Sequence, residues 1–508
     1  MNTNFRAVPL LFLSPPNSEL LSFLEEADRL VQREPHVLQL IEADLDRHGK
    51  AKKALRLLDA QWRQARSEGL PTVDLEVVAV DPDKLRLNTG RPRTTGYLVY
   101  MFLVGRGFYG GFKSSEAMTL LQESTTLAVL LANQGSHMPG STTLNELVNA
   151  VSNETREEIL DVQLREVLQE EWDDFSKLTQ DSTAVEGNTQ WPKDSHLMVC
   201  LVARLLHRGG RLDRLGLSCI DEPRASKLLS KMRVIDKQIS MGAGKKGSEI
   251  ERKKLYVKLL RMARRAFSLL APHIDSIKHR LGVLDVAPSR REMAERAVRW
   301  MTMDMVNLSQ VIDCCQARVV RGNKVPVELK VLSVADEDAA FIAKGGREPT
   351  VGYKPQLGRS GAGFIVGFIL PLGNAADSGQ LVPMFEQVVR RTQTIPAEVS
   401  VDDGYASSKG RQQLKDRGVK VVSISGSKGK KITPAEDWDD PEYQAARNGR
   451  SAVESLMFTI KHGFDFGRMA RRGLDNVHGE MLEKILAYNF CRMAKCRSTG
   501  AQAARIAA

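Results

Sequence analysis

A chain of 508 residues with 42% hydrophobic and 27% charged residues has an ordinary globular composition and enough length for several cores. Its formal net charge of +11 points toward a polyanionic partner, and six cysteines with no CxxC pair exclude a disulfide framework and argue against a zinc site. The opening AVPLLFLSPP is too short to cross a bilayer and lacks a small-residue cleavage pattern, so the expected setting is the reducing cytoplasm, with no membrane.

Residues 1–90 read as an N-terminal helical region: LLSFLEEADRLV, HVLQLIEADL and AKKALRLLDAQWRQA place apolar residues three and four apart. An extended connector follows, VDLEVVAVDPDKLRLNTGRPRT. Within it, Arg91 and Arg93 form either a plain basic turn or a short arm of the kind laid in a DNA minor groove. Residues 91–170 read as a second helical region, through SSEAMTLLQESTTLAVLLANQ and STTLNELVNAVSNETREEILDVQLREVLQE. Its helix–turn–helix layout suits either DNA binding or scaffolding. Residues 171–195 change character: KLTQDSTAVEGNTQWPKDS reads as strand, turn and strand, with Asp181 near the end of the first.

From 196 to 317 the pattern is helical again. Lys245, Lys246, Arg252, Lys253, Lys254, Lys258, Arg261, Arg264 and Arg265 make two of these segments strongly basic, as a solvated face or as a contact for backbone phosphates. The period then switches to two. ELKVLSVADEDAAFIAKG, TVGYKPQLG and GAGFIVGFILPLG read as strands, and SGQLVPMFEQVVRRTQ as a helix. After these come strand AEVSVDD, helix SSKGRQQLKDRG, strand VKVVSISG and a basic loop, SKGKK. Residues 476–508 are one more helix with a polar tail expected to fray.

RNGRSAVESLMFTIKHG also reads as a helix. Projected from Arg450, Glu454 falls near 40° and Lys461 near 20°, so the three share one face, with Val453, Leu456, Met457 and Ile460 in a stripe between about 240° and 340°. A carboxylate between two cations suits metal ions and phosphates, though i, i+4 and i, i+7 salt bridges would use the same spacing. Asp181 on a first strand, Asp402 or Asp403 on a later one and Glu454 on a following helix give the element order of a ribonuclease-H-like nucleotidyl-transfer core. The fold expected is therefore a mixed α+β and α/β chain. Its all-helical N-terminal region precedes a mixed-sheet core (171–195 and 318–475), with 196–317 inserted between the first and second strands. Hard carboxylate oxygens suit Mg²⁺. Asp336 and Asp338 are alternative strand-adjacent acids, Glu186 and Asp194 read as structural, and His462 as a surface histidine or a proton shuttle.

Four segments carry a family resemblance: DSTAVEGNTQWPKDS, VLSVADEDAAFIAKGG with VGYKPQL, SVDDGYAS, and RSAVESLMFTIKHGF. In that order they resemble bacterial insertion-sequence transposases of the DDE type, and Arg450, Glu454 and Lys461 match that group's Arg-x3-Glu-x6-Lys spacing. The resemblance implies a metal-binding triad of Asp181, Asp402 and Glu454, selecting Asp402 because one residue separates it from Gly-Tyr. It implies phosphate contacts by Arg450 and Lys461 and two Mg²⁺ ions, with Mn²⁺ as a substitute. Arg447 stands where the family usually has a tyrosine, and is carried over as a DNA contact. The implied activity is cleavage at element ends and strand transfer into target DNA. Implied partners are terminal inverted repeats and target duplex, bound by a homodimer or larger assembly at the bacterial nucleoid. The competing expectations are an endonuclease without strand transfer and an inactive, transposase-derived DNA-binding protein.

Overall fold

KLTQDS, whose one apolar residue, Leu178, is buried, folds as strand β1 (Lys177–Ser182), and the sheet is built around it. A computed structural model describes residues 18–69, 85, 94–131, 138–217, 222–343 and 348–507. Arg91 and Arg93 lie outside the described residues. The other strands are β2 (Val185–Glu186), β3 (Ala340–Ile342), β4 (Thr350–Tyr353), β5 (Gln356–Ser360), β6 (Ile365–Ile369), β7 (Glu398–Val401) and β8 (Val421–Ile424).

The main sheet runs β6-β5-β1-β7-β8. β1 pairs antiparallel with β5, and β5 with β6, whereas β1–β7 and β7–β8 are parallel. Parallel neighbours need crossover connections, and helices Leu381–Thr392 and Ser408–Asp416 lie in the connections before and after β7. A small second sheet, β2-β4-β3, continues from the first, because β1 leads into β2 as β4 leads into β5. TVGYKPQLG was expected as one strand. It divides between the two sheets at Lys354-Pro355, where proline has no N–H to give a ladder.

Residues group into two compact units, one of Met1–His48, Thr89–Asn188 and Asp338–Ala508, the other of Gly49–Asn88 and Thr189–Glu337. In the first, the N-terminal helices pack together with the sheet. Leu24, Ile41, Met101, Leu144 and Leu164 share a hydrophobic cluster with Leu178, Phe368, Val399 and Leu482. Helix Gly96–Phe108 is apolar on every side and nearly all buried, so it needs partners all round. Helix Leu474–Ala507 is one of them, with Met481, Leu482, Ile485, Leu486 and Phe490 buried. The expected fraying tail is helical through Ala507.

A buried charge cluster ties these helices together. Glu483 accepts from Arg106 at 2.6 and 2.8 Å, from Arg156 at 3.0 Å and from Arg471 at 2.9 Å. Burial alone would raise the Glu483 carboxyl, but Arg106, Arg471 and Arg156 outweigh it and hold the group well below the usual carboxylate range.

The second unit is helical and has a core of its own. Its helices Asp194–Asp213, Glu222–Gly242, Glu249–Gly282 and Pro288–Cys315 close over a separate cluster that includes Leu205, Met232, Leu259, Met305 and Leu308.

Three local expectations give way. STTLNELVNAVSNETREEILDVQLREVLQE breaks into helices Ser141–Ala150 and Asn153–Gln169, because Ser152 caps the second through Thr155 N at 3.1 Å. Among the described residues of ELKVLSVADEDAAFIAKG only Ala340–Ile342 is a strand. The basic loop SKGKK lies within helix Gly426–Ile432.

Candidate active site

The parallel register of β1 and β7 aligns Leu178 with Val399 and Thr179 with Ser400. Two residues further on, Asp181 comes level with Asp402, at the same end of the two strands and on the same face, since side chains alternate along a strand. Leu178 and Val399 point the opposite way, into the core. Helices Pro441–Gly449 and Ser451–Gly463 pack against this part of the sheet, and Ser400 Oγ donates to Ala446 O at 2.7 Å.

The site helix, Ser451–Gly463, buries Val453, Leu456, Met457 and Ile460, the stripe read from its sequence. Glu454 is thereby turned outward, with its side chain 60% exposed. Asp181, Asp402, Glu454, Arg450 and Lys461 all line one cleft of about 600 Å³, together with Glu348, Phe458 and His462. Arg450 donates to Glu454 at 2.7 Å, and Lys461 Nζ donates to Ala184 O at 3.0 Å, on the turn after β1. Four carboxylates thus face two permanent cations, an excess of negative charge.

Asp402 and Asp403 diverge. Asp402 Oδ1 accepts from Gly404 N at 2.9 Å and the residue lines the cleft. Asp403 Oδ1 instead accepts the backbone N–H groups of Lys428 (2.7 Å) and Gly429 (3.0 Å), at the start of helix Gly426–Ile432. Gly426 has φ +95°, and a Cβ there would stand 2.6 Å from Asp403, so glycine is required for this approach.

Other sequence candidates lie elsewhere. The Arg447 guanidinium stacks over Trp438 at 5.0 Å, away from the cleft lining. Asp338 accepts from Leu474 N at 2.7 Å, Asp336 is buried, and Asp194 faces Arg318 at 3.5 Å. Glu186 is on β2, its backbone N–H bonded to Gly467 O at 2.9 Å.

Sequence reading missed two features. Phe458 is 66% exposed on the cleft wall with His462 tilted against it at 4.3 Å, and its helical phase beside Glu454 was the available signal. Behind the strand ends, Asp377 accepts from Lys354 (2.9 Å) and Gln356 (2.8 Å), and Tyr405 donates to Gln356. Burial would raise the Asp377 carboxyl, but the bonds from Lys354 and Gln356 pull it below its ordinary value. Burial, then the nearby Asp377, Asp181 and Asp402 charges, push the Tyr405 hydroxyl upward and keep it a neutral donor. No local sequence pattern joins these residues.

The donor set is all oxygen, as a hard divalent cation prefers. Among the described residues no three of the acidic, histidine or cysteine side chains are drawn into a ready metal cluster, so the carboxylates share the cleft without converging.

Residues 309–490 match the family model described as a transposase DDE domain. That segment is similar to the DDE domain of transposases, the type that the motifs resemble. The match includes Asp402, Arg450, Glu454 and Lys461, whereas Asp181 precedes it. No curated protein and no solved structure matches the chain. Among the described residues, no helix is long and apolar enough to cross a membrane.

Proposed function

We propose that this protein is a divalent-metal-dependent DNA transposase with a ribonuclease-H-like core. The observation that carries the reading is that Asp181, Asp402 and Glu454 line one cleft, from adjacent parallel strands and the site helix. Asp181, Asp402 and Glu454 would hold two Mg²⁺ ions, or Mn²⁺ in their place. Such ions supply Lewis-acid activation of an attacking oxygen and charge stabilisation of a leaving one. They would also offset the negative excess of the cleft, which otherwise repels a phosphodiester.

Arg450 and Lys461 bind the scissile phosphate, the guanidinium through paired N–H groups and the ammonium as a point charge. For both to do so, Arg450 exchanges Glu454 for phosphate, and Lys461 exchanges the Ala184 carbonyl. Water attacks the phosphorus at the element end, breaking the P–O3′ bond and releasing a 3′-hydroxyl. That hydroxyl attacks a target phosphodiester, one P–O bond forming as another breaks, so no external energy source is needed. The substrates are duplex terminal inverted repeats and target duplex in the bacterial nucleoid. Both ends must be held together, which requires a dimer or larger assembly.

The test supplies the full-length protein with Mg²⁺, a duplex ending in a pre-cut 3′-hydroxyl from the flanking inverted repeat, and a plasmid target. Joined product, lost in Asp181→Asn, Asp402→Asn and Glu454→Gln, is the expected result. Nicking without joining would leave an endonuclease. Binding with neither reaction would leave an inactive descendant.

A further inference from the structure

The chain's positive charge is concentrated in one place. Residues 223–274 contain fourteen of the 73 Lys and Arg and three of the 62 Asp and Glu. This segment therefore carries +11, the whole formal net charge, and the remaining 59 residues of each sign cancel. It comprises nearly all of helix Glu222–Gly242, the loop after it and most of helix Glu249–Gly282, two neighbouring helices of the second unit.

The charge is displayed outward. Leu229, Met232, Ile235, Ile239, Leu259, Leu260, Ala263 and Ala266 turn into the unit's core. Lys254, Lys258, Arg261 and Arg265 are exposed, and at about 100° per residue they fall within roughly 60° of one another. That stripe extends about 16 Å along the helix, a length over which one strand of duplex presents several phosphates at about 3.4 Å of axis each. No acidic residue lies between Glu251 and Asp275. Among the described residues Lys258, Arg261 and Arg265 have no carboxylate within ion-pair distance, and Lys254 meets only the exposed Glu251, at 3.5 Å. Lys245 and Lys246, both exposed, extend the positive surface onto the connecting loop. A solvated helix face usually alternates its charges in sign; this one is of one sign over six turns.

We infer that this helical hairpin is a sequence-independent docking surface for the phosphate backbone of duplex DNA. The inference rests on the proposed transposase reading for its choice of polyanion, and it assigns to the hairpin the electrostatic part of DNA affinity. Point charges on flexible stems give phosphate contact without base readout, so the surface fits flanking or target DNA of any sequence.

The test measures affinity of the full-length protein for a random-sequence duplex between 50 and 200 mM salt. It compares the unmodified protein with a variant carrying Lys254→Gln, Lys258→Gln, Arg261→Gln and Arg265→Gln. A second variant carries Lys245→Gln and Lys246→Gln on the loop, where no helix is disturbed. Losing four phosphate contacts makes the slope of log affinity against log salt shallower by about 3.6, so the unmodified protein loses about a hundredfold more affinity across that range than the variant. The loop variant loses about 1.8 of slope on the same basis. Unchanged slopes in both variants, beside tight binding by the unmodified protein, overturn the hairpin assignment and leave the transposase reading standing. Absence of duplex binding by the unmodified protein overturns the transposase reading itself. Retained duplex binding with lost binding to phosphatidylserine vesicles would overturn DNA as the partner of this surface.

Discussion

Asp403 accepts the backbone N–H of Lys428 at 2.7 Å, so of two adjacent aspartates one caps a helix and the other faces the cleft. The two substitutions should therefore separate cleanly. Asp403→Ala leaves two helix-start N–H groups unpaired and should cost about 1 kcal/mol of stability while metal-dependent nicking persists. Asp402→Ala should abolish nicking with little change in the thermal midpoint. Paired melts and nicking assays check both, and the reverse pattern would exchange their roles.

The metal assignment has its own signature. Chelation should stop nicking, and Asp181→Cys should be inactive with Mg²⁺ but regain part of its activity with Zn²⁺, which accepts thiolate where Mg²⁺ does not. Equal activity of Asp181→Cys with Mg²⁺ would show that Asp181 holds no metal.

Glu483 is the common acceptor for Arg106, Arg156 and Arg471. Glu483→Gln leaves three cations buried or half-buried without a counter-charge and should cost about 3–5 kcal/mol in urea unfolding. The folded carboxyl is depressed, so its contribution is complete above the unfolded value near 4.3 and fades as pH falls below it toward the folded one. The stability gap between the unmodified protein and the variant should be constant from pH 8 to about 5, then narrow in more acid solution.

Gly107 sits where helix Gly96–Phe108 meets helix Leu474–Ala507, and a Cβ there would lie 2.1 Å from Glu483 O. Alanine is the better helix former by about 1 kcal/mol. A clash between two helix backbones has no side chain to give way, so Gly107→Ala should be destabilising by about 3 kcal/mol. An unchanged or raised melting midpoint would mean that the helices part more easily than their burial suggests.

The grouping of the candidate residues on one cleft was more legible than the fold around it. Arg450, Glu454 and Lys461 are set by the phase of one helix, and Asp181 and Asp402 by strand ends, all local patterns. The resemblance alone selected Asp402 over Asp403; the bonds that hold Asp403 come from Lys428 and Gly429, which lie more than twenty residues downstream and read as loop. The split of TVGYKPQLG depended on which sheet each half joins, a tertiary choice that Pro355 marks without dictating. Likewise Leu24, Met101 and Leu144 show amphipathic periodicity but not what they pack on. Their partners on the sheet and in helix Leu474–Ala507 are fixed by long-range packing that no window of sequence contains.

That last arrangement sets an order of events during synthesis. Helices 189–337 are nearly contiguous in the second unit, and most of their contacts can form as they emerge. The apolar surface of helix Gly96–Phe108 has to wait for residues 474–493, made more than 350 positions later. The first unit thus completes its core after most of the chain has left the ribosome, with a long interval in which apolar helices seek temporary cover.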